Sequence, residues 1–277
     1  MKRTGLVLAL TLALVIAVAF IAEQISYAQQ APDPRVADVV QAGRVRVGVG
    51  LAAAHWASKD SATGELRGVA VDLARALGAR LGVEVLLVEY PSPPRVLDGV
   101  KVGAWDVGFI GVDPARAAVV DFSSPYLQID ANYLVPAGSS IRNSADVDQP
   151  GVRIAVSRNS VEDFVLGKTL KRAELVRLET VSAGFDALLA GKADVLAAPR
   201  PGLLQSLARL PGSRVLDDHF HATFAAIAVP KGQAGRLAYI NDFIEEAKTS
   251  GLVERAIERA GLRGVVQVAP AGKPSTR

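Results

Sequence analysis

The sequence predicts an α/β fold of two lobes, each a mainly parallel sheet flanked by helices, with two extended segments crossing between them. Three observations carry that prediction. From residue 44 onward, β-branched runs alternate with amphipathic helical segments, the pattern of a parallel sheet wrapped by helices. The alternation breaks near residue 126 and restarts at residue 152. Two apolar extended stretches, residues 131–135 and 222–229, end at Pro136-Ala137-Gly138 and Pro230-Lys231-Gly232, and these are read as crossings between lobes. At 277 residues, half of them hydrophobic, the chain is long enough to bury two modest cores.

In chain order, Lys2 and Arg3 precede an uncharged apolar run over residues 5–22, and Ser26-Tyr27-Ala28 has the small-x-small pattern of a signal-peptidase site. A signal peptide over residues 1–28, cleaved after Ala28, is expected; the rival reading is an uncleaved membrane anchor. Residues 29–40 form a polar leader. Residues 44–49 alternate as a first strand. A loop over 50–64 holds His55 and Trp56. Leu73, Leu77 and Leu81 fall four apart and predict an amphipathic helix from Val69. Residues 83–88 form a strand, 95–102 a short helix between Pro93-Pro94 and Gly103, and 106–110 a third strand. The stretch GFIGVDPARAAVVDFSSPY (residues 108–126) then combines a strand end, a turn set by Asp113 and Pro114, Arg116, and a second hydrophobic run.

The pattern restarts with a strand over 152–156. Ser160 begins a helix with Asp163 three residues on, a capping-box spacing. A strand over 175–178, a helix over 182–190 closed by Gly191, and a strand over 194–197 follow. GVKVGAWDV (residues 99–107) and ALLAGKADV (residues 187–195) place helix end, glycine and Asp-Val in one order, a local echo between the halves. Two terminal helices, 236–249 and 252–260, are expected to pack on the first lobe. The organisation is therefore lobe 1 from residues 29–134 plus 228–266, lobe 2 from 135–227, and a disordered tail over 267–277.

Composition narrows the function. The formal charge is +3, and removing Lys2, Arg3 and Glu23 with residues 1–28 leaves 29 basic against 27 acidic residues, or +2, so no nucleic-acid partner is expected. The chain has no cysteine, hence no disulfide, lipid-attachment cysteine or thiolate metal site. Export without disulfides fits a bacterial periplasm. His219 and His221 would share a strand face, but without a third histidine nearby no metal or other cofactor is expected. His55, Asp113 and Glu162 form no recognisable acid–base constellation, so a non-enzymatic role is expected.

Seven segments, in order, carry a resemblance: VRVGVG (45–50), GELRGVAVDLARAL (64–77), the turn ending at Asp106, DPARAAVVDFSSPY (113–126), VRIAVSRNS (152–160), GKADVLAA (191–198) and AAIAVPKG (225–232). Over residues 43–263 the chain resembles the periplasmic solute-binding proteins of polar amino-acid ABC importers. That resemblance implies the two-lobe periplasmic-binding-protein fold, a ligand held between the lobes, closure by a hinge, and an ABC permease in the inner membrane as partner. A monomer is expected. The same scaffold also hosts ligand-sensing input proteins and dehydratase-type enzymes, and these are the alternatives.

By the same resemblance, Arg116 grips the ligand carboxylate, a role suited to a guanidinium fork. The alternative is a surface arginine paired with Asp113 or Asp121. Gly111 offers a backbone amide to that carboxylate, and Phe109 is either a ligand contact or a core residue. Asn159 and Ser160 form a helix start that serves as an anion site or a simple cap. Arg158 faces the cleft or solvent. Trp56 lies in the loop that places an aromatic side chain on the ligand, although the stacking position itself aligns with Ala53. The acidic residue expected to meet the ligand ammonium corresponds to Pro199. Its loss points to a carboxylate ligand without a free amine, with Arg200 as a second cation or, alternatively, as a solvent-facing helix start.

Overall fold

The computed structural model describes residues 32–51 and 55–272. The signal-peptide segment and Ala53 lie outside the described residues. In chain order the elements are α1 (Ala37–Gln41), β1 (Arg44–Gly50), β2 (Ser58–Lys59), β3 (Leu66–Arg67), α2 (Val69–Leu81), β4 (Glu84–Tyr90), β5 (Val107–Gly111), β6 (Val120–Phe122) and β7 (Leu127–Val135). There follow β8 (Arg153–Ser157), α3 (Val161–Thr169), β9 (Glu174–Leu178), α4 (Val181–Leu189), β10 (Val195–Pro199), α5 (Arg200–Ser206) and β11 (Arg214–Val215). The chain closes with β12 (His221–Pro230), α6 (Ala234–Thr249), α7 (Leu252–Arg259) and β13 (Gln267–Val268).

The main sheet runs β4-β1-β5-β12-β7-β10-β8-β9. β4, β1 and β5 are parallel, as are β10, β8 and β9. Between these blocks, β12 and β7 run antiparallel to each other and to their outer neighbours. Each is long enough to serve both blocks: β12 pairs with β7 over residues 221–225 and with β5 over 225–228. They are the two crossings expected from the extended stretches before Pro136 and Gly232.

Each block is covered on both faces. In β5, Val107 and Phe109 join the core beneath α2, α6 and α7, while Ile110 joins a smaller cluster around Trp105. In β10, Val195 and Ala197 face one core of the second lobe, and Leu196 and Ala198 the other. That period of two on doubly covered strands explains why they read as nearly continuous apolar runs. α6 and α7 contribute Ile240, Phe243, Ile244, Val253 and Ile257 to the first lobe's core, where the terminal helices were expected.

The sequence echo has a structural counterpart. Asp106 accepts hydrogen bonds from the Arg46 amide (2.8 Å) and Nε (3.2 Å), and Arg46 Nη1 donates to the Gly103 carbonyl at 2.5 Å. Asp194 accepts the same pair from Arg153 (2.9 and 3.0 Å), and Arg153 Nη2 donates to the Gly191 carbonyl at 2.8 Å. Both glycines have positive φ, 59° and 65°, so the Gly-x-x-Asp turn is built alike in both lobes.

The tail departs from expectation. Gln267 and Val268 pair with Gln128 and Leu127 on β7, and Ala269 is buried. The β7 edge is open there, and Asp130 accepts from Gln267 Nε2 at 2.6 Å, so a short strand finds backbone and side-chain partners together.

Candidate ligand-binding cleft

A depression of about 860 Å³ lies between the lobes. His55 and Trp56 face it from the first lobe, and Ile129 and Thr223 from the crossing strands. Thr223 Oγ1 donates to the Ile129 carbonyl at 3.2 Å, tying the two crossings together there. The second lobe supplies the start of α3 (Val161 and Glu162), the first half of α4 (Val181 and Phe185) and one side of α5 (Pro201 and Gln205). Helix starts gather there because they follow the carboxyl ends of the strands, where open α/β sheets bind ligands. A smaller hollow of about 460 Å³ on the first lobe is rimmed by the Arg75–Glu65 and Arg259–Asp72 pairs, whose charges satisfy each other.

Arg116 opens a 3₁₀ turn, Arg116–Ala118, just after β5. Asp113 Oδ1 accepts from the amides of Ala115 (2.8 Å) and Arg116 (3.2 Å), so the turn is pinned by an aspartate rather than by the arginine side chain. The half-buried guanidinium folds back and donates from Nη1 to the Gly111 carbonyl at 2.9 Å. Asp121 pairs instead with Lys231 at 2.6 Å, and among the described residues no carboxylate bridges Arg116. Gly111 explains the approach: a Cβ there would lie 3.1 Å from Arg116 Nη1 and 3.9 Å from Trp56 Cη2. Gly111 thus lies between Arg116 and Trp56; of the three, Trp56 lines the cleft, and Gly111 and Arg116 stand behind it.

Other expected site residues are placed elsewhere. Phe109 is fully buried and packs edge-on against Tyr126, with centroids 5.6 Å apart, so it is a core residue. Arg158 is exposed and bonds to Glu179 (3.3 Å) and the Arg177 carbonyl (3.2 Å). Arg200 does start a helix, but its side chain donates to the carbonyls of Gly264 (3.1 Å) and Leu216 (3.3 Å), not into the cleft. Pro199 does line the cleft, without charge.

The Asn159-Ser160 turn is satisfied internally. Asn159, at φ 60°, donates its amide to Asp163 Oδ2 at 3.0 Å, and Ser160 Oγ accepts from the Asp163 amide at 3.1 Å. Asp163 also accepts from Arg177 Nε at 2.7 Å. The chain's own carboxylate therefore occupies the anion position at this helix start, and α3 presents Val161 and Glu162 to the cleft instead. Glu162 in the first turn of a helix reads as an ordinary dipole-complementing acid, and only the packing around it shows its burial.

His55 lies 5.5 Å from Trp56, centroid to centroid, and its Nδ1 is buried without a hydrogen-bond partner among the described residues. Burial pushes its pKa down from 6.5 to about 4. The neutral imidazole is thus the folded form, and the unfolded chain takes up a proton first as pH falls. Stability is intact above pH 6.5 and is lost as pH falls toward 4, by about 1–3 kcal/mol. The check is Tm from pH 7 to 4.5 for wild type and His55→Asn, with the variant losing less. His221, also shifted down by burial, contributes with the same sign in both proteins. Parallel pH profiles would rule out a buried neutral His55.

Residues 45–261 match the family model for bacterial extracellular solute-binding proteins, family 3. The chain belongs to that family. It is 27% identical over 183 residues to a glutamine-binding protein of Geobacillus stearothermophilus, covering 64% of this chain and 69% of the relative. An ancestral cationic amino acid solute binding protein superposes with a TM-score of 0.63 at 24% identity, over 80% of this chain and 97% of that one. An ancestral cyclohexadienyl dehydratase superposes at 0.59 and 24% identity, over 84% and 98%. These structures share the two-lobe fold with this member of family 3. Among the described residues no helix is long and apolar enough to cross a membrane.

Proposed function

We propose that the chain is the periplasmic substrate-binding component of an ABC importer, capturing a small carboxylate-bearing solute between its lobes. The observation that carries this reading is Arg116. A half-buried guanidinium holds one bond to a strand-end carbonyl, meets no carboxylate among the described residues, and lies across Gly111 from Trp56, which itself lines the cleft. Its remaining donors suit the two oxygens of a ligand carboxylate. Gly111 supplies the space for that approach. Family membership supports solute binding, and amino acids are the ligands in the names of the relatives above. In this reading the mature chain begins after Ala28, works as a monomer, closes about β7 and β12, and presents its closed form to an inner-membrane permease.

A thermal-shift screen of amino acids, dicarboxylates and aromatic acids tests it, because a ligand that binds only the folded state raises Tm. A carboxylate among the hits, bound stoichiometrically without product, is the expected result. The ancestral dehydratase neighbour gives a second reading specific content, since His55 and Glu162 are titratable side chains facing the cleft. Product formation from a cleft-bound acid would favour it. A sensing role predicts the same binding, with a separate signalling protein in place of the permease.

A further inference from the structure

On its second-lobe side the depression follows α5 and the 3₁₀ turn after it, Leu207–Arg209. Pro201, Gln205 and Arg209 fall four apart on one face, and Gly202 and Ser206 repeat that spacing beside them. From Pro201 to Arg209 the wall runs about 12 Å along the helix axis. α4 brings Val181, Ser182 and Phe185 to the same space, and it shares a core with α5 through Phe185, Leu188 and Leu203. The depression therefore continues as a groove between two helices that cover one sheet face. An added Cβ at Gly202 would meet nothing within 4 Å, so the groove is open at mid-length.

The groove ends in charge. Among the described residues Arg209 is the one lysine or arginine lining the depression, and Glu162 the one acid. Glu162 is 6% exposed, so an anion is repelled from the α3 side and drawn toward Arg209. Arg209 is positioned without being neutralised. Its guanidinium lies over the Phe185 ring, 4.4 Å from the centroid, which orients the fork. Among the described residues it makes one hydrogen bond, from Nη2 to Asp186 at 3.3 Å. Both partners are more than half exposed, at 55% and 62%, and such a pair holds weakly.

We propose that the groove between α4 and α5 is a second subsite, which takes the apolar chain of an elongated acid and binds its far anionic group at Arg209. The ligand class is then a linear diacid rather than a compact solute. Val181, Phe185, Pro199 and Pro201 suit a methylene chain, and 12 Å is roughly ten zigzag carbon–carbon bonds. The second cation expected at Arg200 is supplied instead by Arg209, further along the same segment. The inference rests on the reading of the cleft as a carboxylate site and extends it.

The test titrates the full mature chain with succinate, adipate, suberate, sebacate and dodecanedioate, and with the linear monocarboxylates of the same lengths. Affinity is expected to rise along the diacid series, with sebacate or dodecanedioate about tenfold or more tighter than the matched monocarboxylate. Arg209→Gln should bring that pair to within about threefold, and Asp186→Asn, which frees the guanidinium, should tighten the diacid about twofold or more. Gly202→Leu keeps a good helix former but fills the groove, and should weaken sebacate about tenfold or more while costing succinate less. The proposal is overturned if no diacid binds, if succinate binds as well as the longer members, or if Arg209→Gln keeps the full diacid preference. Failure of the underlying reading looks different. Arg116→Ala would then leave the whole series bound as before, while Arg209→Gln still removed the diacid preference.

Discussion

Arg116→Ala is expected to weaken ligand binding by about a hundredfold or more, the usual cost of truncating one partner of a desolvated charge pair. The empty protein should barely notice, with Tm falling by less than about 2 °C, because the side chain is half-exposed and gives up a single neutral acceptor. That acceptor, the Gly111 carbonyl, can turn to water once the guanidinium is gone. The turn itself survives, since Asp113 and not Arg116 holds the amides of residues 115 and 116. Arg116→Lys should fall between the two, keeping the charge but losing the planar fork. Calorimetric titration of any hit from the screen reads the effect directly. Unchanged affinity for every hit would place the carboxylate elsewhere.

Much of this fold was legible because its signals are local. Period-two burial, the four-residue spacing of Leu73, Leu77 and Leu81, and the Gly-x-x-Asp turns each depend on neighbours a few residues away. The restart at residue 152 was legible for the same reason, and the paired Arg46–Asp106 and Arg153–Asp194 networks show what the echo encodes. The cleft was legible only in part. Arg158 and Arg200 sit near where they were expected, yet a long side chain reaches several ångströms in any direction, and here carbonyls and Glu179 claim both. Phe109 follows from strand alternation once Val107 is known to face the same core. Glu162 could be named from the sequence as a titratable candidate, but its burial could not be read, because it comes from contacts distant in sequence. The pairing of Gln267 and Val268 was hidden likewise, since a strand of two residues is too short to show a period and forms only where β7 has a free edge.

Gly50→Ala is expected to destabilise the protein by about 3 kcal/mol or more and to lower Tm by roughly 6–12 °C, as overpacking against an immovable neighbour does. Its φ is unremarkable, so the demand is for space. An added Cβ would lie 2.2 Å from the Pro93 nitrogen, 2.3 Å from Pro93 Cα and 2.4 Å from the Ser92 carbonyl carbon. All three are backbone atoms and cannot swing aside. Gly48, two residues earlier, would meet Val96 Cγ1 at 2.8 Å, a side chain with more freedom to shift. β1 cannot yield easily, because it lies between β4 and β5 and the next amide, Leu51, bonds to the Tyr90 carbonyl at 2.8 Å. The 3₁₀ turn Pro93–Gly99 would have to move instead, and with it the Val96 carbonyl that accepts the buried Trp105 indole at 2.8 Å. Because the chain leaves β1 at Gly50 for the segment carrying His55 and Trp56, ligand affinity should fall along with Tm. Gly202→Ala is the matching control. It sits inside α5 with nothing within 4 Å of its added Cβ, so helix propensity alone applies and Tm should hold or rise. If Gly50→Ala and Gly202→Ala melted alike, the close approach of β1 to the Ser92-Pro93 backbone could not be what fixes the end of that strand.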